Sequence, residues 1–138
     1  MSTIHNTAII GSNVIIGENV TIGAYSIIED GVKIADNNVI KSSVFITGQT
    51  DIGKNNVFHP FCSIGSPPQD LKFNNEITKL LIGNDNVFRE YSNVNVGTEG
   101  GGGITSVGNN SLFMVGAHIA HDCIVGNNIV MANQATIA

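Results

Sequence analysis

The chain has 138 residues, a formal net charge of −5 at pH 7 and only 12% charged side chains, a length that suits one domain with its own core. This acidic balance gives no electrostatic reason for binding nucleic acid or an anionic membrane surface. The opening Met1-Ser2-Thr3 lacks the basic and apolar regions of an export signal, and no run approaches the ~18 apolar residues of a membrane span. A cytoplasmic protein without a transmembrane segment is therefore expected.

From the start of the chain, isoleucine recurs at a strict spacing of six: Ile4, Ile10, Ile16, Ile22, Ile28, Ile34, Ile40, Ile46 and Ile52, with Phe58 and Ile64 in the same register. This is neither the 3.6 period of a helix nor the alternation of a flat sheet. One short strand and one corner per hexad, three hexads to a coil, predict a parallel β-helix whose ladder positions point inward. Asn13, Asn19, Gly31, Asn37 and Asn55 fall three residues after ladder positions. Those residue types tolerate the positive φ of a tight corner.

The rule breaks after Ile64. Pro67-Pro68 and the polar run up to Lys79 favour an extruded loop over residues 66–79, although the spacing from Ile64 to Ile82 would also accommodate one irregular coil. Ile82, Phe88 and Val94 resume the register. Gly97 to Gly103 is too glycine-rich for a strand and reads as a second, mobile or sharply turning excursion; it lacks the Gly-Lys-Ser/Thr ending of a phosphate-binding loop. Val107, Phe113, Ile119, Val125, Met131 and Ile137 complete the ladder, about seven coils in all. With no polar cap after Ile137, the sequence looks unfinished at its C-terminus.

Residues just before the ladder should face outward. Ile9, Ile27 and Phe45 then stack into an apolar stripe, Thr21, Val39 and Val57 into a weaker one, and Ile15, Lys33 and Asp51 into a more polar face. An exposed apolar stripe marks an interface, which favours an oligomer built from one repeated contact. Cys62 and Cys123 occupy slots filled elsewhere by Ala8, Val14 or Val20 and are expected to be buried thiols in a reducing compartment.

Titratable groups concentrate in His118-Ile119-Ala120-His121-Asp122-Cys123. His118 flanks a ladder residue on the outward side and His121 opens the next corner. Neutral imidazole is a suited base for taking a proton from a hydroxyl, yet spacing alone describes His121 first as an exposed corner histidine. Asp122 sits in a slot held elsewhere by Asn110 and Asn128, so backbone conformation accounts for it, with orientation of His121 a secondary role. A shared zinc site would need His59 or His5 from other coils, and no metal is expected. Asp70 and Lys72 read as ordinary loop polarity or as ligand contacts on a rigid scaffold.

Ser63-Ile64-Gly65, then Pro68-Gln69-Asp70-Leu71-Lys72, the Gly97 to Gly103 run and Ala117 to Cys123, in this order, resemble the acyl-ACP:UDP-N-acetylglucosamine O-acyltransferases of lipid A biosynthesis across essentially the whole chain. The resemblance implies an all-β, left-handed parallel β-helix assembled as a homotrimer, with active sites between subunits. It implies transfer of a (3-hydroxy)acyl chain from acyl carrier protein to the sugar 3-hydroxyl of UDP-N-acetylglucosamine, with no cofactor besides the acyl-ACP co-substrate. His121 then matches the general base, Asp122 its partner and His118 a second active-site histidine. Asp70 and Lys72 match substrate contacts, Lys72 near the nucleotide phosphates, with Gln69 beside them. Where that family commonly has His-Arg before Gly-Thr, this chain has Asn95-Val96, which bears on acceptor preference. Residues 1–138 thus read as a single hexapeptide-repeat domain, the N-terminal β-helix portion of such an enzyme. Further coils, and a helical domain supplying oxyanion and carrier contacts, are expected to be absent. Two alternatives stand beside it: a related acyltransferase acting on an amino-sugar nitrogen, and an inactive β-helical fragment.

Overall fold

A computed structural model describes all residues from Met1 to Ala138. Its strands are mostly two residues long and never pair with their sequence neighbours. Each pairs in parallel with the third strand on, giving three sheets of seven, seven and six strands. The first face runs from Thr3–Ile4 to Val130–Met131, the second from Ile9–Ile10 to Thr136–Ile137, and the third from Ile15–Ile16 to Ile124–Val125. The chain is a coil of triangular section, as the six-residue period predicts. No helix is long and apolar enough to cross a membrane.

The ladder residues form the core. From Ile22 to Met131 every one is buried, and Phe58, Phe88 and Phe113 stack with centroids 5.0 and 4.7 Å apart. Toward the ends the ladder opens: Ile10 and Ile16 are half-buried, and the end rungs Ile4 and Ile137 are exposed. The outward stripes also align as expected: Ile9 beneath Ile27 and Phe45, Thr21 beneath Val39 and Val57, and Ile15 beneath Lys33 and Asp51. The stripe of Thr21, Val39 and Val57 is more extensive than its start suggests, because Val87, Leu112 and Val130 continue it.

The corners separate by chemistry. Between the third and first faces, positive φ is taken by Asn19, Asn37, Asn55, Asp85, Asn110 and Asn128, whereas Asn13, at the corner between the second and third faces, does not adopt it. Buried Asn38, Asn56 and Asn86 stack just inside this corner, each side chain binding backbone of the next coil, a polar ladder the hexad pattern does not reveal. Between the first and second faces, by contrast, Tyr25, Phe61 and Tyr91 hold φ of 60°, 71° and 62°. A left-handed conformation costs a bulky residue about 1–2 kcal/mol. Phe61 and Tyr91 stack at 5.3 Å while remaining largely exposed.

Both interruptions leave the second face and rejoin the third, so they extrude from one corner. Ser63–Ser66 ends where the first loop begins, and Lys79–Ile82 pairs directly with Gln49–Ile52. The residue separation between neighbouring coils rises there from 18 to 30, then to 25 across the glycine loop. The first loop is therefore an excursion, and the alternative of an irregular coil is not what forms. Cys62 is buried, but Cys123 is only partly so, which corrects the expectation of two equivalent interior thiols.

Candidate active site

His121 and Asp122 lie at the corner from which the two loops project, between strands His118–Ile119 and Ile124–Val125. Asp122 has a φ of 64°, so it does fill the corner slot that spacing assigns it. Its side chain nevertheless does more than turn the chain. Oδ2 accepts a hydrogen bond from His121 Nδ1 at 2.8 Å and one from the Thr98 hydroxyl at 2.5 Å. Oδ1 accepts from the Thr98 amide at 2.7 Å. The Asp122 amide in turn donates to Thr105 Oγ1 at 2.8 Å, and Thr105 is fully buried. Burial pushes the Asp122 carboxyl up, but the bonds from the Thr98 hydroxyl, His121 and the Thr98 amide outweigh it and hold the group below the usual carboxylate range.

With Asp122 ionised, the hydrogen on His121 must sit on Nδ1 to make this contact, which leaves Nε2 as the free lone pair. The dyad borders a cleft of about 640 Å³ walled by both loops. Asp70, Lys72, Phe73 and Glu76 face it from the first loop, and Thr98 and Glu99 from the second. The Asp70 carboxylate accepts from the Lys72 amide at 2.9 Å, and its carbonyl from the Phe73 amide at 2.9 Å. The carboxylate therefore shapes the loop, while the Lys72 ammonium makes no ion pair within the chain. Glu76 accepts from the Asn74 amide at 2.7 Å and from the Glu99 amide at 3.5 Å, joining the loops; the Asn74 contact is the main reason its carboxyl lies below its ordinary value.

Four of the expected residues thus meet in one cleft: Asp70, Lys72, His121 and Asp122. Gln69 is exposed outside its lining, and His118 stands on the second face above Asn93. Asn95 and Val96, the pair that departs from the resemblance, are 2% and 6% exposed and do not line the cleft. Asn95 Nδ2 reaches the Ser66 carbonyl at 3.3 Å, and Val96 lines a smaller adjoining hollow of about 230 Å³. His59 lies elsewhere, 3.8 Å from Glu90. Sequence reasoning missed Thr98, Thr105, Phe73 and Glu76. The loop over residues 66–79 pointed to the neighbourhood of Phe73 and Glu76, and the glycine run to that of Thr98.

The family described as bacterial transferase hexapeptide (six repeats) matches residues 13–48. Among curated proteins, an acyl-[acyl-carrier-protein]–UDP-N-acetylglucosamine O-acyltransferase of Rickettsia bellii is 52% identical over 88% of this chain and 43% of its own length. The protein of the same name from Aliarcobacter butzleri is 53% identical over 100% of this chain and 53% of its own. Among solved structures, LpxA from Acinetobacter baumannii superposes with a TM-score of 0.95 at 43% identity, covering 96% of this chain and 52% of that one. The coil is thus a left-handed parallel β-helix of the hexapeptide-repeat transferase class. Within that class, the chain belongs with the acyl-[acyl-carrier-protein]–UDP-N-acetylglucosamine O-acyltransferases. It spans about half the length of the curated relatives it matches.

Proposed function

We propose that this chain carries the acceptor-activating part of an O-acyltransferase that moves a (3-hydroxy)acyl chain from acyl carrier protein to the 3-hydroxyl of UDP-N-acetylglucosamine, the first step of lipid A biosynthesis. The observation that carries the reading is the His121–Asp122 pair at the wall of the two-loop cleft. Nε2 of His121 takes the hydroxyl proton as the sugar oxygen attacks the thioester carbonyl. The new C–O ester bond forms, the C–S bond breaks, and the imidazolium returns its proton to the departing carrier thiolate. A positioned base contributes typically 10²–10⁴-fold, and the orienting carboxylate keeps Nε2 aimed outward. The unpaired Lys72 ammonium suits the nucleotide diphosphate. No cofactor enters this scheme.

A homotrimer in the cytoplasm accompanies this reading. It is supported by the apolar columns of the first and second faces, which meet at a corner where Tyr25, Phe61 and Tyr91 are held exposed despite unfavourable φ. In a trimer, the outward-facing His118 comes from a surface available to a neighbouring subunit's cleft. The test is to incubate the complete protein with acyl-ACP and UDP-N-acetylglucosamine beside its 3-amino analogue. The proposal expects an O-acylated product. Exclusive N-acylation would replace it with the amino-sugar reading that Asn95-Val96 motivates, and no transfer to either would refute it.

A further inference from the structure

The glycine loop closes on itself beside the dyad. The amides of Gly101 and Gly103 donate to the Thr98 carbonyl at 3.2 and 2.7 Å, and the Gly101 amide also donates to Thr98 Oγ1 at 3.1 Å. That last bond fixes the hydroxyl rotor: with its lone pair engaged by Gly101, the Thr98 O–H is directed at Asp122 Oδ2. Thr98 therefore contacts both carboxylate oxygens, its amide on Oδ1 and its hydroxyl on Oδ2. Gly97 and Gly101 pack so closely on this carboxylate that a Cβ at Gly97 would lie 2.8 Å from Oδ1, and one at Gly101 would collide with Oδ2. Gly101 has no positive φ, so space at Asp122 is what requires glycine there.

We infer that Thr98 is a positioning residue for the acyl-transfer reaction: it clamps Asp122, and through it His121, so that a His121–Asp122–Thr98 relay holds the base. This rests on the general-base reading of His121. An aspartate with two free oxygens rotates about its last torsion and can meet imidazole through either one. Two bonds from one residue remove that freedom, and the buried Thr105 hydroxyl fixes the backbone on the other side. The relay thereby selects the Nδ1–H tautomer and the ring orientation together. Thr98 itself neither exchanges a proton with substrate nor needs to touch it.

The test compares Thr98→Val, which keeps the shape and the amide but removes the hydroxyl, with Thr98→Ser, which restores the hydroxyl, and with His121→Ala, all in the complete protein. Two readouts are needed: steady-state kinetics, and the imidazole ¹⁵N spectrum of His121 above its titration range. Thr98→Val should lower kcat on the order of 10- to 100-fold, as loss of a hydrogen bond to a charged group implies, with KM little changed. It should also deplete the Nδ1–H tautomer, and Thr98→Ser should recover both. A wild-type kcat and tautomer ratio in Thr98→Val would overturn the inference. So would a loss that Thr98→Ser fails to rescue, since that marks a packing role. If His121→Ala retains transfer, the base reading itself fails, while the tautomer measurement still decides whether Thr98 holds the pair.

Discussion

Gly101→Ala isolates the geometry of the site from the stability of the fold. The added methyl would stand 2.9 Å from Thr98 Oγ1 and would overlap both Cγ and Oδ2 of the Asp122 carboxylate. To restore an ordinary separation of about 3.5 Å, the carboxylate must move by about 1.5 Å. The colliding atoms end a short side chain at an open cleft, so water replaces part of what is lost. The stability cost therefore stays under about 2 kcal/mol, and the reduced freedom of the unfolded chain offsets some of it. The reaction has no such cushion, because a displacement of about 1 Å costs on the order of 10²-fold in rate. Gly100→Ala is the folding control, since nothing lies within 4 Å of its Cβ position and its φ is not positive. Urea titrations of both variants, alongside kcat in the complete protein, decide the matter. The expected result is near-native stability for both and a roughly hundredfold loss of kcat in Gly101→Ala alone. Wild-type turnover in that variant would refute the idea that the glycine loop sets the dyad's position.

Further outcomes follow from the same structure. Asn56→Ala removes a fully buried amide that accepts from the Asn86 amide and donates to the Gly83 carbonyl, both at 2.9 Å. Leaving two interior groups unpaired should cost about 3–5 kcal/mol in urea unfolding, and a loss below about 1 kcal/mol would contradict the role of the asparagine ladder. Because the folded Asp122 value lies below the unfolded one of about 3.9, its stabilisation is complete above that pH and fades as pH falls through the folded value. Asp122→Asn should thus flatten the stability–pH slope below about pH 4, and an unchanged slope would count against the hydrogen-bonded carboxylate. Burial pushes the Cys62 thiol up to about 12, whereas Cys123 is raised but half-accessible. A disulfide reagent should therefore label Cys123 first, and rapid labelling of Cys62 in the folded protein would overturn its placement.

The ladder was legible because one physical rule, burial of a β-branched or aromatic side chain once per face, repeats with little interference. Phe58 and Phe88 keep the six-residue register across the first loop, and Phe113, displaced from it by one residue after the glycine loop, still stacks on Phe88. The loops were legible for the complementary reason, as places where proline and glycine suspend that rule. What stayed hidden depends on contacts between coils. Thr98 looks like any loop threonine until the glycine turn lays it against Asp122, 24 residues on. Asn38, Asn56 and Asn86 look like corner residues, yet their amides are turned inward to satisfy the backbone of neighbouring coils. Tyr25, Phe61 and Tyr91 take a conformation that residue preference argues against. His121 was found by its neighbours in sequence, but the partner oxygen that orients it needed the fold.

The most direct test of the account is acyl transfer by His121→Ala in the complete protein, measured with acyl-ACP and UDP-N-acetylglucosamine beside circular dichroism and sedimentation controls for fold and assembly. The account predicts intact structure with turnover lowered by 10²-fold or more, the lower bound of what a positioned base contributes. Turnover within a few-fold of wild type, from a folded and assembled variant, would contradict it.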